Sequence, residues 1–397
     1  MRKIVINPFL VFLMTIIGTL AIYSLSWSEI YPALTSTSLI LFLGITIIVL
    51  LFFSKVYNIF FPVGVFQNRK HSINMSIWVV LGFLSIAAEL IYEKAIPILE
   101  VLVFRSGYNY VDFEGIPTFH VFAVTYASFL GLWLWDRFLM DHQFLNLLGS
   151  LFFVSYPLIL FNRGGFIMNL CTLLFITLIR KRHTVFSVKK IIVAMSSVLV
   201  ILYLFGLLGN FRSPDSTSVK ESGEARSSLI LNSGRATEEF KESIIPKEFF
   251  WTYLYAGTPL GNLNHMMEVM EPTNDLNAFV ASSILPDFIS KRIIESKNIY
   301  IPDDDLVLAT FNVSTLFATA FKTLGILGMS LLVLYYSLVV FGYSYLMKKM
   351  DTVSVVGIAI LFTIIIFSFF NNMLTFSGLS FQLIYPILFG IYNKMRG

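Results

Sequence analysis

Long apolar runs separated by short polar turns fill both ends of this chain. A membrane-spanning helix needs about 20 mostly apolar residues. The pattern therefore predicts ten transmembrane helices, at roughly 5–25, 34–53, 74–92, 118–135, 143–160, 165–179, 189–208, 324–346, 353–370 and 376–393. We expect an all-α polytopic membrane protein whose helices alternate in direction across the bilayer.

A polar insert divides the chain into three regions. Residues 1–208 hold the first seven predicted spans, residues 209–323 form the insert, and residues 324–397 hold the last three spans. A large structured segment on one face of a membrane usually acts on something at that face. The insert is therefore the first place to look for function.

The insert itself has distinct parts. Residues 212–245 are polar, Ser-rich and charged, whereas residues 246–301 contain apolar stretches that predict amphipathic helices lying against the membrane face. Residues 306–322 are apolar but are interrupted by polar side chains such as Asn312 and Lys322. That pattern is consistent with a partial or re-entrant segment.

The distribution of Lys and Arg in the short loops predicts the orientation. If the N-terminus is cytoplasmic, the short outer segments carry only Lys94, Arg105 and Arg163. The cytoplasmic segments then carry Arg2, Lys3, Lys55, Arg69, Lys70, Arg137, Arg180, Lys181, Arg182, Lys189, Lys190, Lys348, Lys349, Lys394 and Arg396. We expect both termini inside, the insert outside, and the first apolar run to be a retained helix rather than a cleaved signal peptide.

Composition restricts the possible functions. The chain is 56% hydrophobic and 13% charged, with a mean hydropathy of +0.78, whereas soluble domains contain roughly 25% charged residues. The net charge of +4 comes with no basic domain or nucleic-acid motif, which argues against nucleic-acid binding. The single cysteine, Cys171, cannot form an internal disulfide, and no Cys/His cluster has metal-ligand spacing. We expect no metal and no cofactor.

Four arginines have both a structural and a functional interpretation. Arg163, in Asn162-Arg163-Gly164, either snorkels at a tight outer turn or binds phosphate oxygens through its planar fork. Arg212, Arg226 and Arg235 lie among acidic residues of the insert, where they are either solvated or bind phosphate. Arg212 follows span seven directly and begins an Arg-x10-Gly pattern.

Two histidines fall on the predicted outer side. His265 is the histidine of the insert, and it is either a general base or a polar residue of an amphipathic helix. His120, at the outer start of span four, is either a substrate ligand or a boundary residue. Glu89 and Glu93 share one helical face at the outer end of span three and are candidate partners of Arg163 or Lys94.

Aromatic residues cluster at the start of the second part of the insert. Trp251 and Tyr255 belong to this cluster, together with Phe249, Phe250 and Tyr253. They either stack on sugar rings or form an interfacial anchoring belt.

Together these features resemble the Wzy-type oligosaccharide repeat-unit polymerases, also called O-antigen polymerases. The plan of many spans with one large late outer loop covers the whole chain. Short stretches also carry the likeness: Gly-Ile-Pro-x-x-His at 115–120, Asn-Arg-Gly at 162–164, Tyr-Ala-Gly-Thr-Pro-Leu-Gly-Asn-Leu at 255–263, and Asn-Val-Ser-Thr at 312–315 followed by Phe-Lys-Thr-Leu-Gly-Ile-Leu-Gly at 321–328. Related proteins often have an acidic residue in this last neighbourhood. Lys322 and Thr323 stand there instead, so no acidic function is carried over.

The resemblance implies a membrane glycosyltransferase in the bacterial cytoplasmic membrane, with its active site facing outward. Donor and acceptor would both be glycans on undecaprenyl diphosphate, and a chain-length regulator is a possible partner. Within that scheme Arg163 and Arg212 are expected to bind the diphosphate, with Arg226 or Arg235 assisting, and His120, Trp251 and Tyr255 to contact substrate. His265 is the expected base, and Arg212 is also expected to act in catalysis.

Three other interpretations remain open. An O-antigen ligase shares the many-span plan and the large outer loop. A lipid-linked oligosaccharide flippase or other transporter would have ionisable groups near the middle of several spans, whereas here they gather at the outer boundary. A scaffold protein would not require clustered outer arginines.

Overall fold

The computed structural model describes residues 7–31, 33–62, 64–66, 74–104, 113–181, 223–350 and 352–396, with isolated positions at 108, 196, 199–200, 202–204, 206–207 and 209–210. Across these residues the chain is helical, and its β-structure is limited to one antiparallel bridge, between Ser28 and Ala236. The predicted all-α class is confirmed for this part of the chain.

The first half forms six long helices that follow the apolar runs. They are α1 (Pro8–Tyr23), α2 (Thr37–Phe60), α3 (Ser76–Glu93), α4 (Phe119–Asp141), α5 (Phe144–Ile159) and α6 (Arg163–Arg180). A short helix, Pro97–Leu99, continues into a π-helical turn, Glu100–Phe104, between α3 and α4. Helices α4, α5 and α6 pack mutually, and α3 packs against α4.

The second half alternates longer helices with short helical elements. The long elements are α7 (Gly223–Ser233), α8 (Phe249–Val269), α9 (Asp287–Lys297), α10 (Phe317–Lys349), α11 (Ser354–Phe367) and α12 (Ile384–Arg396). The short elements are Glu238–Glu242, Leu276–Phe279 with the π-helical Val280–Ile284, and Ser377–Ser380 with the 3₁₀ turn Phe381–Leu383 that leads into α12.

Within the described residues, four helices are long and apolar enough to cross a membrane: α2, α3, α6 and α10. Helices α1, α5 and α11 are shorter apolar helices of the same kind. A membrane-embedded helical protein accounts for them. The number of ten spans and their orientation remain predictions, and predicted span 189–208 lies largely outside the described residues.

The long helices of this fold are apolar for two different reasons. Every residue from Ser354 to Ile365 of α11 is buried, because α11 packs against α1, α6 and α10. In α2, by contrast, Leu41, Ile45 and Ile48 are 61%, 61% and 67% exposed, which suits a surface that faces lipid. A helix that is hydrophobic on all sides can therefore be buried in the protein core, as α11 is.

One expectation about the insert is corrected. Helix α8 is not a surface amphipathic helix, since residues 257–264 are buried on all sides. Gly261 makes this close packing possible, because the Tyr31 ring occupies the space that a Cβ atom would need. Residues 299–316, which we call the strap, contain no regular helix, and residues 317–322 are the start of α10; the expected partial or re-entrant segment 306–322 stays a prediction.

A buried ion pair joins α4 to α6 far from the turn that precedes α6. Arg180 donates from Nε to Asp136 Oδ1 at 2.6 Å and from Nη2 to Asp136 Oδ2 at 2.7 Å. Arg180 is the last residue of α6, whereas Arg163 is the first. The pair therefore fixes the helices at one end and leaves the opposite end for chemistry.

Candidate functional site

A cleft lies where α4 begins and where the turn between α5 and α6 comes beside it. Its volume is about 370 Å³. The lining residues are Phe113, His120, Val124, Leu160, Phe161, Asn162, Arg163 and Gly164. Two sequence-predicted site residues, His120 and Arg163, are thus brought together at one end of the helix bundle. We call this the Arg163 cleft.

His120 is held from behind by a buried carboxylate. Its Nδ1 lies 2.5 Å from Glu89 Oε2, and the side chain of Glu89 is fully buried while that of His120 is 30% exposed. The other oxygen, Glu89 Oε1, accepts a hydrogen bond from the Ile116 N–H at 3.2 Å. Because a carboxylate accepts the Nδ1 proton, Nε2 is the ring nitrogen left to face the cleft as an acceptor.

The loop before α4 is shaped around this pair. Gly115 has a φ of +67°, and its N–H donates to Glu93 Oε1 at 2.5 Å. A Cβ atom at Gly115 would collide with Glu89 and lie 2.6 Å from His120 Nδ1. Glycine is thus required both by the left-handed backbone and by the space that the pair occupies. The two glutamates bind this loop and His120, rather than Arg163 or Lys94 as considered from the sequence.

Arg163 lies at the mouth of the same cleft. It is exposed and is the first residue of α6, directly after Asn162, whose side chain accepts from the Gly165 N–H at 2.9 Å. Among the described residues its guanidinium has no ion-pair partner. A helix N-terminus carries partial positive charge and free N–H groups, and a guanidinium adds a full charge with forked donors. This end of the cleft is suited to an anion.

The Arg163 cleft therefore combines an anion-binding end with an oriented imidazole. The carboxylates stand behind His120 and do not line the cleft. A buried acid that orients a histidine is the arrangement by which enzymes hold a general base in one tautomer and stabilise the imidazolium it becomes. Chemically, the cleft can bind a phosphate group and take a proton from a hydroxyl group beside it.

A second cleft, of about 290 Å³, lies between α7, α8 and the strap. It brings the predicted substrate residues Trp251 and Tyr255 together, with ring centroids 6.3 Å apart. The other lining residues are Leu229, Ile230, Ser233, Leu254, Thr258, Thr310, Phe311, Asn312 and Val313. We call it the Trp251 cleft, and it shares no lining residue with the Arg163 cleft.

The insert arginines are not placed in either cleft. Arg212 falls outside the described residues, and Arg226 lies on helix α7 at a position whose side chain is not described. Arg235 is exposed in the turn after α7, with a φ of +44°, and its carbonyl oxygen accepts from the Glu29 N–H at 2.9 Å. Their expected roles in diphosphate binding remain predictions.

His265 lies on α8 beside the strap and lines neither of the two clefts. Its Nε2 lies 3.4 Å from Asp305 Oδ1, and both side chains are partly exposed. The adjacent Asp304 pairs with the buried Lys322, whose Nζ also donates to the Pro302 carbonyl at 2.7 Å. His265 and Lys322 therefore each contact an aspartate of the strap. The described residues hold no group of three His, Cys, Asp or Glu side chains arranged for a metal ion.

Sequence reasoning did not pair Glu89 with His120. The residues are 31 positions apart, and the loop between α3 and α4 decides whether they meet. A signal was present, because Glu89 is a carboxylate inside an apolar helix, where an unpaired charge is costly. A carboxylate in this position needs a cation or a hydrogen-bond donor from a neighbouring element. His120 lies in the first turn of α4, the next long helix.

The chain matches no family model, no curated protein and no solved structure in the comparisons. The candidate site is therefore defined by the geometry of this chain. Its two clefts, one charged and one uncharged, are the features that a function has to explain.

Proposed function

We propose that this protein polymerises oligosaccharide repeat units carried on a lipid diphosphate, such as undecaprenyl diphosphate, at the outer face of the bacterial cytoplasmic membrane. The product would be a surface polysaccharide, either O-antigen or capsule. The observation that carries the proposal is the Arg163 cleft, in which an exposed arginine lies beside a histidine oriented by buried Glu89. The residues needed to stabilise a diphosphate leaving group and to accept a hydroxyl proton are together there.

In the proposed reaction, a hydroxyl oxygen of the acceptor glycan attacks the anomeric carbon of the donor glycan. The bond from that carbon to the diphosphate oxygen breaks, and the lipid diphosphate leaves with the electron pair. The hydroxyl proton passes to His120 Nε2, and Glu89 stabilises the resulting imidazolium. Arg163 and the α6 N-terminus face the negative charge that develops on the leaving group.

His120 is a better placed base than His265 for this step. His120 lines a cleft with Arg163 and has an oriented ring, whereas His265 lies beside Asp305 and lines neither cleft. A base must lie within hydrogen-bond reach of the proton it removes. The proposal therefore assigns general-base catalysis to His120 and anion binding to Arg163.

Two alternative functions share either the chemistry or the substrate of the proposed polymerase. An O-antigen ligase also transfers a glycan from a lipid diphosphate, but to lipid A core. A flippase moves the lipid-linked glycan without breaking a bond, so it has no use for an oriented base. Cells that lack a polymerase attach a single repeat unit to the core, and cells that lack a ligase attach none.

The test uses cells in which the chromosomal copy is deleted and variants are supplied on a plasmid. Polymer length is measured on polysaccharide gels, and protein level by immunoblot of membranes. We expect Arg163→Ala and His120→Ala each to reduce elongation about 10²-fold or more, because each removes an interaction made in the transition state. Arg163→Ala should accumulate in the membrane at normal levels, whereas His120→Ala leaves the buried Glu89 without its side-chain partner and is compared per amount of protein on the immunoblot.

Arg292→Ala is the matched control, since Arg292 is an exposed arginine of α9 that lines neither cleft. It should give polymer of normal length. Long polymer in the Arg163 and His120 variants would refute the proposal. Complete loss of glycan from the core in the deletion strain would instead identify a ligase.

A further inference from the structure

We propose that the Trp251 cleft binds an uncharged pyranose ring. This inference rests on the proposed function only for the origin of the sugar, namely the glycan being extended. The binding chemistry itself follows from the residues that line the cleft.

The described side chains that line the Trp251 cleft are uncharged. Within the described residues, none of the side chains lining it is ionised at neutral pH, and its polar groups are the hydroxyls of Ser233, Thr258 and Thr310, the phenol of Tyr255 and the amide of Asn312. Hydroxyl and amide groups both donate and accept hydrogen bonds, as sugar hydroxyls do. An anionic ligand would lose its hydration here without gaining a cation.

Trp251 provides a fixed aromatic surface. Its Nε1 donates to Asn210 Oδ1 at 2.7 Å, which sets the orientation of the indole. Gly209 lies against the ring so closely that a Cβ atom there would be 2.6 Å from Cε2. The ring is thus held by a hydrogen bond at one edge and by backbone beside it. A rigid indole offers a large apolar surface at little entropic cost. A sugar ring can pack the C–H groups of one face against it.

Thr258 contributes a buried hydroxyl to the wall of the cleft. It is 3% exposed, and its hydroxyl faces the hydroxyl of Tyr31 in the interior. Burial raises the pKa of Tyr31 to about 12 although the hydrogen bond with Thr258 lowers it, and neither hydroxyl has another partner among the described residues. A buried hydroxyl with unmet hydrogen-bond capacity is costly. A ligand hydroxyl that reaches this wall of the cleft would give Thr258 a second hydrogen bond.

The remaining wall of the cleft is preformed by the strap. Asn262 of α8 donates from Nδ2 to the carbonyl oxygens of Phe311 at 2.8 Å and Val313 at 2.9 Å. Its Oδ1 accepts from the Val307 N–H at 3.3 Å. These bonds hold the backbone on both sides of Asn312, a lining residue, and so lower the cost of ordering this wall of the cleft on binding.

The experiment measures sugar binding to the purified full-length protein, in a zwitterionic detergent that has no sugar head group. Saturation-transfer NMR is recorded with glucose, galactose and N-acetylglucosamine as uncharged probes, and with glucuronic acid as the charged probe. We expect transfer to ring C–H protons of at least one uncharged sugar, and at least fivefold less to glucuronic acid. Trp251→Ala should reduce the transfer at least fivefold, and the nearly isosteric Thr258→Val about two- to threefold.

Tyr300→Ala is the matched control, because Tyr300 is a 72% exposed aromatic residue of the same insert that lines neither cleft. It should bind as the unmodified protein does. Arg163→Ala should also keep full sugar binding, even though the proposed function requires it to lose polymerisation, so the two proposals can fail separately. The inference is wrong if no uncharged sugar shows transfer, or if glucuronic acid binds equally well. It is also wrong if the folded Thr258→Val and Trp251→Ala proteins bind unchanged.

Discussion

The two clefts differ in how the chain builds them and in what they can bind. The Arg163 cleft lies at the ends of packed helices, where short turns fix an arginine, a histidine and a buried carboxylate. The Trp251 cleft lies within the insert, between two helices and an extended strap, and its described lining carries no charge. One is suited to an anion and a proton transfer, and the other to an uncharged ring.

The difference shows where a membrane protein can place ionic chemistry. A buried carboxylate such as Glu89 is tolerated only where a partner is fixed beside it, and helix ends joined by tight loops supply that rigidity. Recognition of an uncharged ligand depends on shape and hydroxyl groups instead. The insert provides both at the Trp251 cleft without a charged side chain among its described lining residues.

The largest effect that separates the clefts is expected from Glu89→Gln. Ile116 donates its N–H to Oε1, so the amide oxygen should take that position and the NH₂ group should face His120 Nδ1. The ring proton would then move to Nε2, which could no longer accept a proton. We expect elongation to fall about 10²- to 10⁴-fold, while sugar binding in the Trp251 cleft stays unchanged.

The control for this variant is Glu93→Gln, because one amide oxygen suffices to accept the Gly115 N–H. It should keep elongation within about threefold. The protein level separates positioning from folding: Glu89→Gln and Glu93→Gln should both accumulate in membranes as the unmodified protein does, so that a loss of elongation in Glu89→Gln alone reports the orientation of His120. Equal losses in both glutamine variants would mean that the carboxylates only shape the loop.

The sequence was sufficient for some of these features and not for others. Apolar runs identified most of the long helices, and the positions of His120 and Arg163 beside predicted span ends placed both at the site. Their association with Glu89 was not predictable, because it depends on the path of the loop that contains Gly115. Patterning also cannot distinguish α11, which is buried in protein, from α2, which faces outward, since lipid and protein interiors favour the same side chains.

The insert illustrates a second limit. Apolar stretches around Trp251 suggested a surface helix, yet α8 is buried through residues 257–264. The small residue Gly261 permits this, and composition alone does not show that the Tyr31 ring fills the space beside it. The pairing of Asn262 with the strap likewise joins residues about 50 positions apart in the chain.

An intermediate effect is expected from Gly261→Ala, which tests the packing behind the Trp251 cleft. The new methyl group would overlap the Tyr31 ring, and overpacking of this kind costs typically about 1–3 kcal/mol. We expect a lower unfolding temperature in detergent and weaker sugar binding, since α8 must shift. The chemistry at the Arg163 cleft should be affected less than sugar binding.

Gly257→Ala on the same helix is the control, because its methyl group would meet Tyr23 at an ordinary distance of 3.7 Å. Replacing a helical glycine with alanine there should leave stability unchanged or raise it by up to about 1 kcal/mol. If the two variants melt at the same temperature, the contact between Gly261 and Tyr31 does not determine how α8 packs.

The smallest effect is expected from Arg235→Asn, which asks whether an arginine outside the clefts matters. Asparagine tolerates the positive φ of this turn, so the backbone hydrogen bond from Glu29 is retained and only the cation is lost. Polymer length on gels should change less than about twofold, against the large loss expected for Arg163→Ala. A loss as large as that of Arg163→Ala would show that the insert contributes a cation to the diphosphate after all. The charged site would then extend from the helix ends into the insert, and the separation between the two clefts would no longer hold.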